Sequence, residues 1–445
     1  MWVSPKWCIF ILQNQYTMCK IINKNSNITP YGGLFFIDNL VNKKSIKELI
    51  IKNLGMRSVF AKYSYFDICK SLLFNNLTQG EFLADLETLK NRLPKALSHF
   101  VPSPDTVEYA SQELKVENLV IPITETTNHE INENPKFNKL LSALCVDLGL
   151  IPQNTDGLIL DFDHVINENE KLDSKKTYKH TNGYNPCFAN IGDLTVYFEN
   201  KNGNSPAKYR QKESFTNIFK NLNDNKIDIS FVRADSASYQ KEVINIIEEN
   251  NAKFYIRNVT SQSFKDVCIE HKTWEKSTYN YEDIETASVD YKPFGGDKSY
   301  RIVVIRKQIV ADGEELFDEL KYKYYGIITN DYTKSDYEVI HFYNQRGHVS
   351  ENYNKNLLND FNIKHLPHMD LDTNTVYMGF MAVSGLLFEW IKKVAVKNKV
   401  KGVEVIHRVK RFFYQYINVC AKIVNHARQK AIIIFSPIEY KFLQT

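Results

Sequence analysis

The chain has 445 residues, 43% hydrophobic and 13% aromatic. That exceeds one ordinary domain and is enough for a large packed core, so two to four structural units are expected. A formal net charge of +4 excludes reading a nucleic-acid partner from whole-chain charge. Seven cysteines (Cys8, Cys19, Cys69, Cys145, Cys187, Cys268 and Cys420) form no close Cys-x-x-Cys pair. This argues against a disulfide framework or a Cys-rich zinc site and fits a reducing cytoplasm.

The apolar stretch after Met1 lacks a small-residue cleavage site and is interrupted by Gln13 and Asn14, so it is not read as a signal peptide. Residues 1–57 read as a loosely defined arm with a strand segment, Gly33-Leu-Phe-Phe-Ile-Asp38. From Val59 to about Leu114 the period becomes helical, with Tyr65, Ile68, Leu72 and Leu73 on one face. Thr78-Gln-Gly-Glu81 is a capping box for a second helix, and Ser103-Pro104 is an N-cap with proline at the first helical position. The short helices fit a helix-turn-helix-like DNA-binding unit or an ordinary bundle, and the spacing does not separate the two. Asn128–Asn134 reads as a polar loop and Asn138–Leu148 as a helix.

The pattern then switches to strands. Gly157–Val165, Gly183–Asn190 and Leu194–Glu199 are the first three, with Asn202-Gly203 in a turn position. Ser214–Leu222 is helical, Ile227–Ala234 a fourth strand, Gln240–Asn250 a helix and Lys253–Arg257 a fifth strand, a mixed α/β order. From 261 to 332, β-branched and aromatic stretches at Cys268–Trp274, Ile284–Tyr291, Tyr300–Ile309 and Tyr324–Thr329 read as a β-rich insertion. A helix then begins at Ser335. The apolar run Val376–Ile391 falls short of the ~20 residues of a membrane span and reads as a buried helix. Between Ile391 and Lys430 there are eleven Lys or Arg against one acid, Glu404. That block suits phosphate contact or a solvated helix face.

Four carboxylates stand in distinctive settings. Asp161 and Asp163 lie two apart at the end of Gly157-Leu-Ile-Leu-Asp-Phe-Asp163 and so point to one face. Asp235 ends Ile229-Ser-Phe-Val-Arg-Ala-Asp235, and Glu351 follows Tyr343-Asn-Gln-Arg346-Gly. Strand-end aspartates with a helix-borne glutamate are what a two-metal phosphoryl-transfer site needs, because hard cations take oxygen ligands. Each acid alone is more often a cap or a solvated surface residue.

Taken in order, the strand-final Asp, Arg-Ala-Asp-Ser, the β-insertion and Tyr-Asn-Gln-Arg-Gly with a glutamate beyond resemble the DDE cut-and-paste transposases of bacterial insertion sequences. Within these they resemble the branch with a Tyr-x2-Arg-x3-Glu signature. The resemblance runs from about Ser58 to the C-terminus. It implies a ribonuclease-H-like α/β catalytic core over 156–260 and 333–391, split by the insertion. The helical 58–155 would be a DNA-binding domain and 392–445 a basic C-terminal segment. It also implies catalytic and metal-ligating roles for Asp163, Asp235 and Glu351, with Asp161 the fallback for the first, around two Mg²⁺ ions that Mn²⁺ could replace. Tyr343 and Arg346 would grip terminal phosphates, with Lys355 in place of the family lysine whose position holds Leu358. Lys410 and Arg411 would contact DNA backbone. Trp274 would stack on a flipped base or pack in the insertion's own core.

The implied activity is binding, cutting and joining of double-stranded DNA by a homodimer in a bacterial cytoplasm, at the nucleoid, with no membrane partner. The alternatives are an inactive DNA-binding descendant or a purely hydrolytic nuclease. Glu351 follows Arg346 by five residues rather than four. A turn over Gly347–Ser350 would absorb the extra residue.

Overall fold

The computed structural model describes residues 27–152, 155–279, 281–295, 298–308, 322–426 and 429–435, with the side chains of 348–355 and 425–430 outside that description. Residues 1–26 of the expected N-terminal arm also lie outside it.

From Leu34 onward the expected strand is instead α1 (Leu34–Val41), followed by α2 (Lys44–Leu54). Leu34, Ile37, Leu40 and Val41 are buried at i, i+3, i+6 and i+7, so a helix buries what a strand would leave half exposed. This stretch joins the core. Ile28–Thr29 pairs with Cys420–His426, and a Cβ on Gly33 would stand 2.2 Å from the Tyr416 carbonyl oxygen.

Next come α3 (Tyr65–Leu77), α4 (Asp85–Arg92), α5 (Lys95–Ser98) and α6 (Pro104–Leu114). Ser103 caps α6 as expected, accepting from Thr106 N. Thr78 does not open α4. It terminates α3, its hydroxyl donating back to Phe74 O at 2.9 Å. Asp85, the first residue of α4, instead closes the turn that leads into the helix, accepting from the Glu81 and Phe82 amides at 2.8 and 2.9 Å. Helix α3 is buried along nearly its whole length. It has no free face to lay in a DNA groove, so any DNA contact from this region falls to other helices.

Among the described residues, eleven strands form one sheet. They are β1 (Leu119–Pro122), β2 (Asn128–Asn132), β3 (Ile159–His164), β4 (Cys187–Ile191), β5 (Leu194–Lys201), β6 (Phe231–Ala234), β7 (Lys253–Arg257), β8 (Glu275–Tyr279), β9 (Glu282–Tyr291), β10 (Tyr300–Gln308) and β11 (Tyr322–Thr329). Their order is β8-β9-β10-β11-β7-β6-β3-β4-β5-β2-β1. β3, β6 and β7 are parallel, and β4 and β5 continue antiparallel from β3. The expected polar loop at 128–134 is therefore largely β2. Its backbone pairs with β1 and β5, which satisfies groups that composition alone left to solvent.

Two sequence expectations change shape. Pro186 splits the strand read over Gly183–Asn190. Asn182–Tyr184 pairs with Asn167–Glu168 and Lys175–Lys176 in a small separate sheet, and only Cys187–Ile191 enters the large one. The stretch Cys268–Trp274, read as strand, begins inside a helix, Gln262–Glu270, whose cap is Ser261. Phe264 and Cys268 bury at i and i+4 there. The insertion strands extend the large sheet, since β11 pairs antiparallel with β7.

On one face of β3, β6 and β7, Leu160, Phe162, Val232, Ala234, Phe254 and Ile256 join the main core. Helix α7 (Pro135–Asp147) lies on that side with α8 (Gln211–Asp224) and α9 (Lys241–Glu249). So does a 27-residue helix, Leu371–Lys397, which is the expected buried helix over Val376–Ile391 and is buried along most of its length. No helix among the described residues is long and apolar enough to cross a membrane. The other face is covered by the helix Asp336–Asn359. Its Val339, Ile340 and Tyr343 pack on Tyr255, Val303 and Ile327 in a second, smaller cluster. The Ser335–Glu338 capping box fixes where this helix starts.

Candidate active site

The register of β3 and β6 sets the site. Arg233 lies beside Asp161 and Ala234 beside Phe162, so Asp235 follows β6 next to Asp163. Side chains alternate along a strand. Asp161, Asp163, Arg233 and Asp235 therefore share the face that helix 336–359 covers.

Within this group the two acids of β3 have different surroundings. Asp161 is 1% exposed and bidentate with Arg233, which is 2% exposed, through two contacts of 2.7 Å. Arg233 also donates to Phe342 O at 2.8 Å. Asp161 thus ties the sheet to the covering helix. Asp163 sits nearer the surface and meets Arg346 Nη2 at 2.8 Å. Burial raises its pKa above the ordinary carboxylate value, Arg346 opposes the shift, and the Asp235 charge adds to it. A carboxylate so placed needs positive charge beside it to stay ionised.

Asp235 is half-buried, and one of its oxygens accepts from Ala237 N at 3.0 Å, capping the short turn Ser236–Ser238. Tyr343 is buried close to Arg346, Asp235 and Asp163, and burial raises its phenol pKa, so it remains an O–H donor at neutral pH. Arg346 Nε is buried without a hydrogen-bond partner.

Asp163, Asp235, Tyr343 and Arg346 are thus brought together. Glu351 and Lys355 lie on the same helix, but their side chains fall outside the described residues. The backbone corrects one expectation: no turn interrupts Gly347–Ser350, and the helix runs unbroken from Asp336 to Asn359. Consecutive residues on such a helix stand ~100° apart. Residue 350, one turn beyond Arg346, and residue 351 therefore occupy different faces. Among the described residues no three His, Cys, Asp or Glu side chains are grouped to hold a metal. Two hard oxygen donors at neighbouring strand ends, one of them calling for positive charge, do fit a divalent cation.

The remaining candidates lie apart. Trp274 donates from Nε1 to His271 O at 3.0 Å. The Arg306 guanidinium sits 4.0 Å from its ring centroid and 4.3 Å from that of Tyr322. Lys410 and Arg411 are exposed on the short helix Val409–Phe412. Elsewhere in the basic block, Lys392 is buried against Glu389 at 2.8 Å and Arg408 pairs with Asp360 at 2.7 Å. Sequence reasoning gave Arg233 no role. Its one signal was a charged residue inside an apolar strand two positions before Asp235.

Two strand-end carboxylates beside a buried arginine, on a mixed α/β sheet, sit in a chain that is a DDE transposase. It belongs to the family described as Transposase DDE domain group 1, whose model matches residues 15–442. No curated protein matches the chain. Among solved structures it is similar to a cryo-EM structure of the piggyBac transposase synaptic complex with hairpin DNA. The identity is 10%, over 87% of this chain and 79% of that one, with a TM-score of 0.41.

Proposed function

We propose that the chain binds the ends of a DNA element, cleaves them and joins them to target DNA by metal-dependent phosphoryl transfer. The observation that carries this reading is the meeting of Asp163 and Asp235 at neighbouring strand ends beneath Tyr343 and Arg346. We read β5-β4-β3-β6-β7, with its helices and the helix 336–359, as a ribonuclease-H-like core. The insertion extends its sheet, while 58–155 and 392–445 supply DNA contacts in a homodimer.

Asp163 and Asp235, with Glu351, would hold two Mg²⁺ ions, or Mn²⁺ in their place. Bound there, such ions supply Lewis-acid stabilisation of the attacking and leaving oxygens. The protein's own part is positioning. Arg346 fixes Asp163 and presents its fork to phosphate oxygens, a geometry that lysine lacks. Tyr343 donates its hydroxyl proton toward the same phosphate. The Arg233–Asp161 pair holds the covering helix in register with the strand ends, so the two sides of the site stay aligned.

The unbroken helix through Gly347–Ser350 favours a second reading, an inactive DNA-binding descendant whose glutamate is turned from the site. Incubating the full chain with Mg²⁺ and DNA carrying the element's ends separates them. The first reading expects nicks at the element boundary that vanish with EDTA. Binding without nicks establishes the second.

DNA affinity should fall steeply with salt. Each neutralised phosphate contributes about −0.9 to the slope of log affinity against log salt. If Lys410 and Arg411 each contact one phosphate, Lys410→Ala/Arg411→Ala should flatten the slope by about 1.8. An unchanged slope would remove both from the interface.

Trp274 acts as a base-stacking platform in this reading, with Arg306 covering one face of its ring. A stacked base is worth about 1–3 kcal/mol. With 2-aminopurine beside the cleavage site, Arg306→Ala should strengthen the unstacking signal and Trp274→Ala should lower it. Parent-like fluorescence in both would make Trp274 a packing residue.

A further inference from the structure

A cleft of about 620 Å³ opens beside Asp235, between the small sheet and the turn at 202–207. The residues that matter in its wall are His164, Lys176, Tyr178, Lys179, Asn204 and Ser205. Lys176, Tyr178 and Lys179 are exposed, Tyr178 at 76%. Among the described residues neither lysine is ion-paired. Neighbouring Lys175 differs, since Glu130 holds it at 2.6 Å. Deeper in the wall, Asn204 Oδ1, Ser205 Oγ and both ring nitrogens of His164 are buried without hydrogen-bond partners. A buried polar group left unmatched is costly, so several in one wall mark a place where a ligand's polar edge belongs.

The wall is rigidly built. Asn202 accepts from the Lys175 amide at 2.8 Å and donates to Asp173 O at 2.8 Å, locking the small sheet to the turn. Gly203 permits the approach, since a Cβ there would stand 2.2 Å from Lys175 O and 2.6 Å from Gly183 O. The cleft therefore combines free cations at its mouth, one exposed aromatic ring and neutral hydrogen-bonding groups behind them. That is the chemistry of a nucleotide: phosphate for the lysines, a π-face for Tyr178, and a base edge for the amide and hydroxyl. A base frees its Watson–Crick edge, and both faces of its ring, only when it leaves the duplex, so a site offering hydrogen bonds and a ring together fits an unpaired nucleotide.

We propose that this cleft holds an unpaired nucleotide of the DNA strand adjoining the scissile phosphate, on the Asp235 side. The proposal rests on the transposase reading for its place beside the reacting phosphate. As a nucleotide site it stands on the cleft alone.

The test uses the full chain and a single-stranded thymidine pentamer carrying one 4-thiothymine. It is irradiated and the cross-linked peptides are mapped, while Mg²⁺-dependent nicking of end-containing DNA is assayed in parallel. The expected adducts fall on peptides containing Tyr178 or Asn204–Ala207. Lys176→Gln/Lys179→Gln should reduce them about tenfold, equivalent to about 1.4 kcal/mol of strand contact. Ser205→Val should reduce them without moving adducts formed elsewhere. Cross-links confined to the basic C-terminal segment or the β-insertion, unchanged in the double variant, would overturn the cleft while persistent nicking leaves the transposase reading standing. Cleft adducts without nicking would uphold the nucleotide site and count against catalysis.

Discussion

Asp235→Asn should lower DNA cleavage by at least about 10³-fold, ~4 kcal/mol of barrier, with end binding nearly intact. Asn keeps the size and one oxygen, and that oxygen can still cap the Ser236–Ser238 turn as Asp235 does now. What it loses is the charge that would hold a divalent ion. The grip on DNA comes from other surfaces, so affinity should change little, or rise as repulsion between carboxylate and phosphate falls. Asp163→Asn should behave alike, since it removes the other charge that would hold the ion and leaves Arg346 without an ionic partner there. Single-turnover cleavage and equilibrium binding on the same DNA check this. Cleavage surviving both substitutions would sink the assignment.

Arg233→Ala should produce the largest loss of stability, about 3–5 kcal/mol. It strands Asp161 in the core at 1% exposure and leaves Phe342 O without its donor. Burial already raises the Asp161 pKa, against the pull of Arg233. Removing the arginine should raise it further. A carboxyl whose folded pKa lies above its unfolded value favours the fold at low pH and penalises it as pH rises through the folded pKa. The deficit of Arg233→Ala should therefore shrink as pH falls from neutral into the acid range. Urea unfolding of parent and variant at several pH values measures this. A deficit that does not vary with pH would mean Asp161 is not an uncompensated buried charge. Asp161→Asn is the companion variant: if it abolishes cleavage while Asp163→Asn does not, the two acids of β3 have exchanged roles.

The sequence made the parallel strands readable because their apolar residues alternate with acids. Leu160 and Phe162 against Asp161 and Asp163 mark both the strand and its functional face. The buried helix over Val376–Ile391 was readable from a run too short for a membrane and too apolar for a surface. Local pattern failed where long-range pairing decided the outcome. Asn128–Asn132 looks like a loop until β5 pairs with it. Leu34–Val41, with adjacent aromatics, looks like a strand until its burial at helical spacing is seen. The division of labour between Asp161 and Asp163 was closed to sequence reasoning for the same reason. It depends on a partner 72 residues away, Arg233, set beside Asp161 by strand register. The cleft beside Asp235 was equally hidden, because its wall joins residues from 164, 176–179 and 204–205 through the contacts of Asn202 and Gly203.

Joining, rather than cutting, separates a transposase reaction from hydrolysis. The most direct measurement supplies the purified chain with Mg²⁺, a DNA segment that carries its gene and the DNA on either side, and a supercoiled target plasmid, then sequences the products. The account predicts covalent insertions of the segment into the plasmid, bordered by short target duplications and absent for Asp163→Asn and Asp235→Asn. Cut ends that never join, or insertions that persist in both variants, would contradict it.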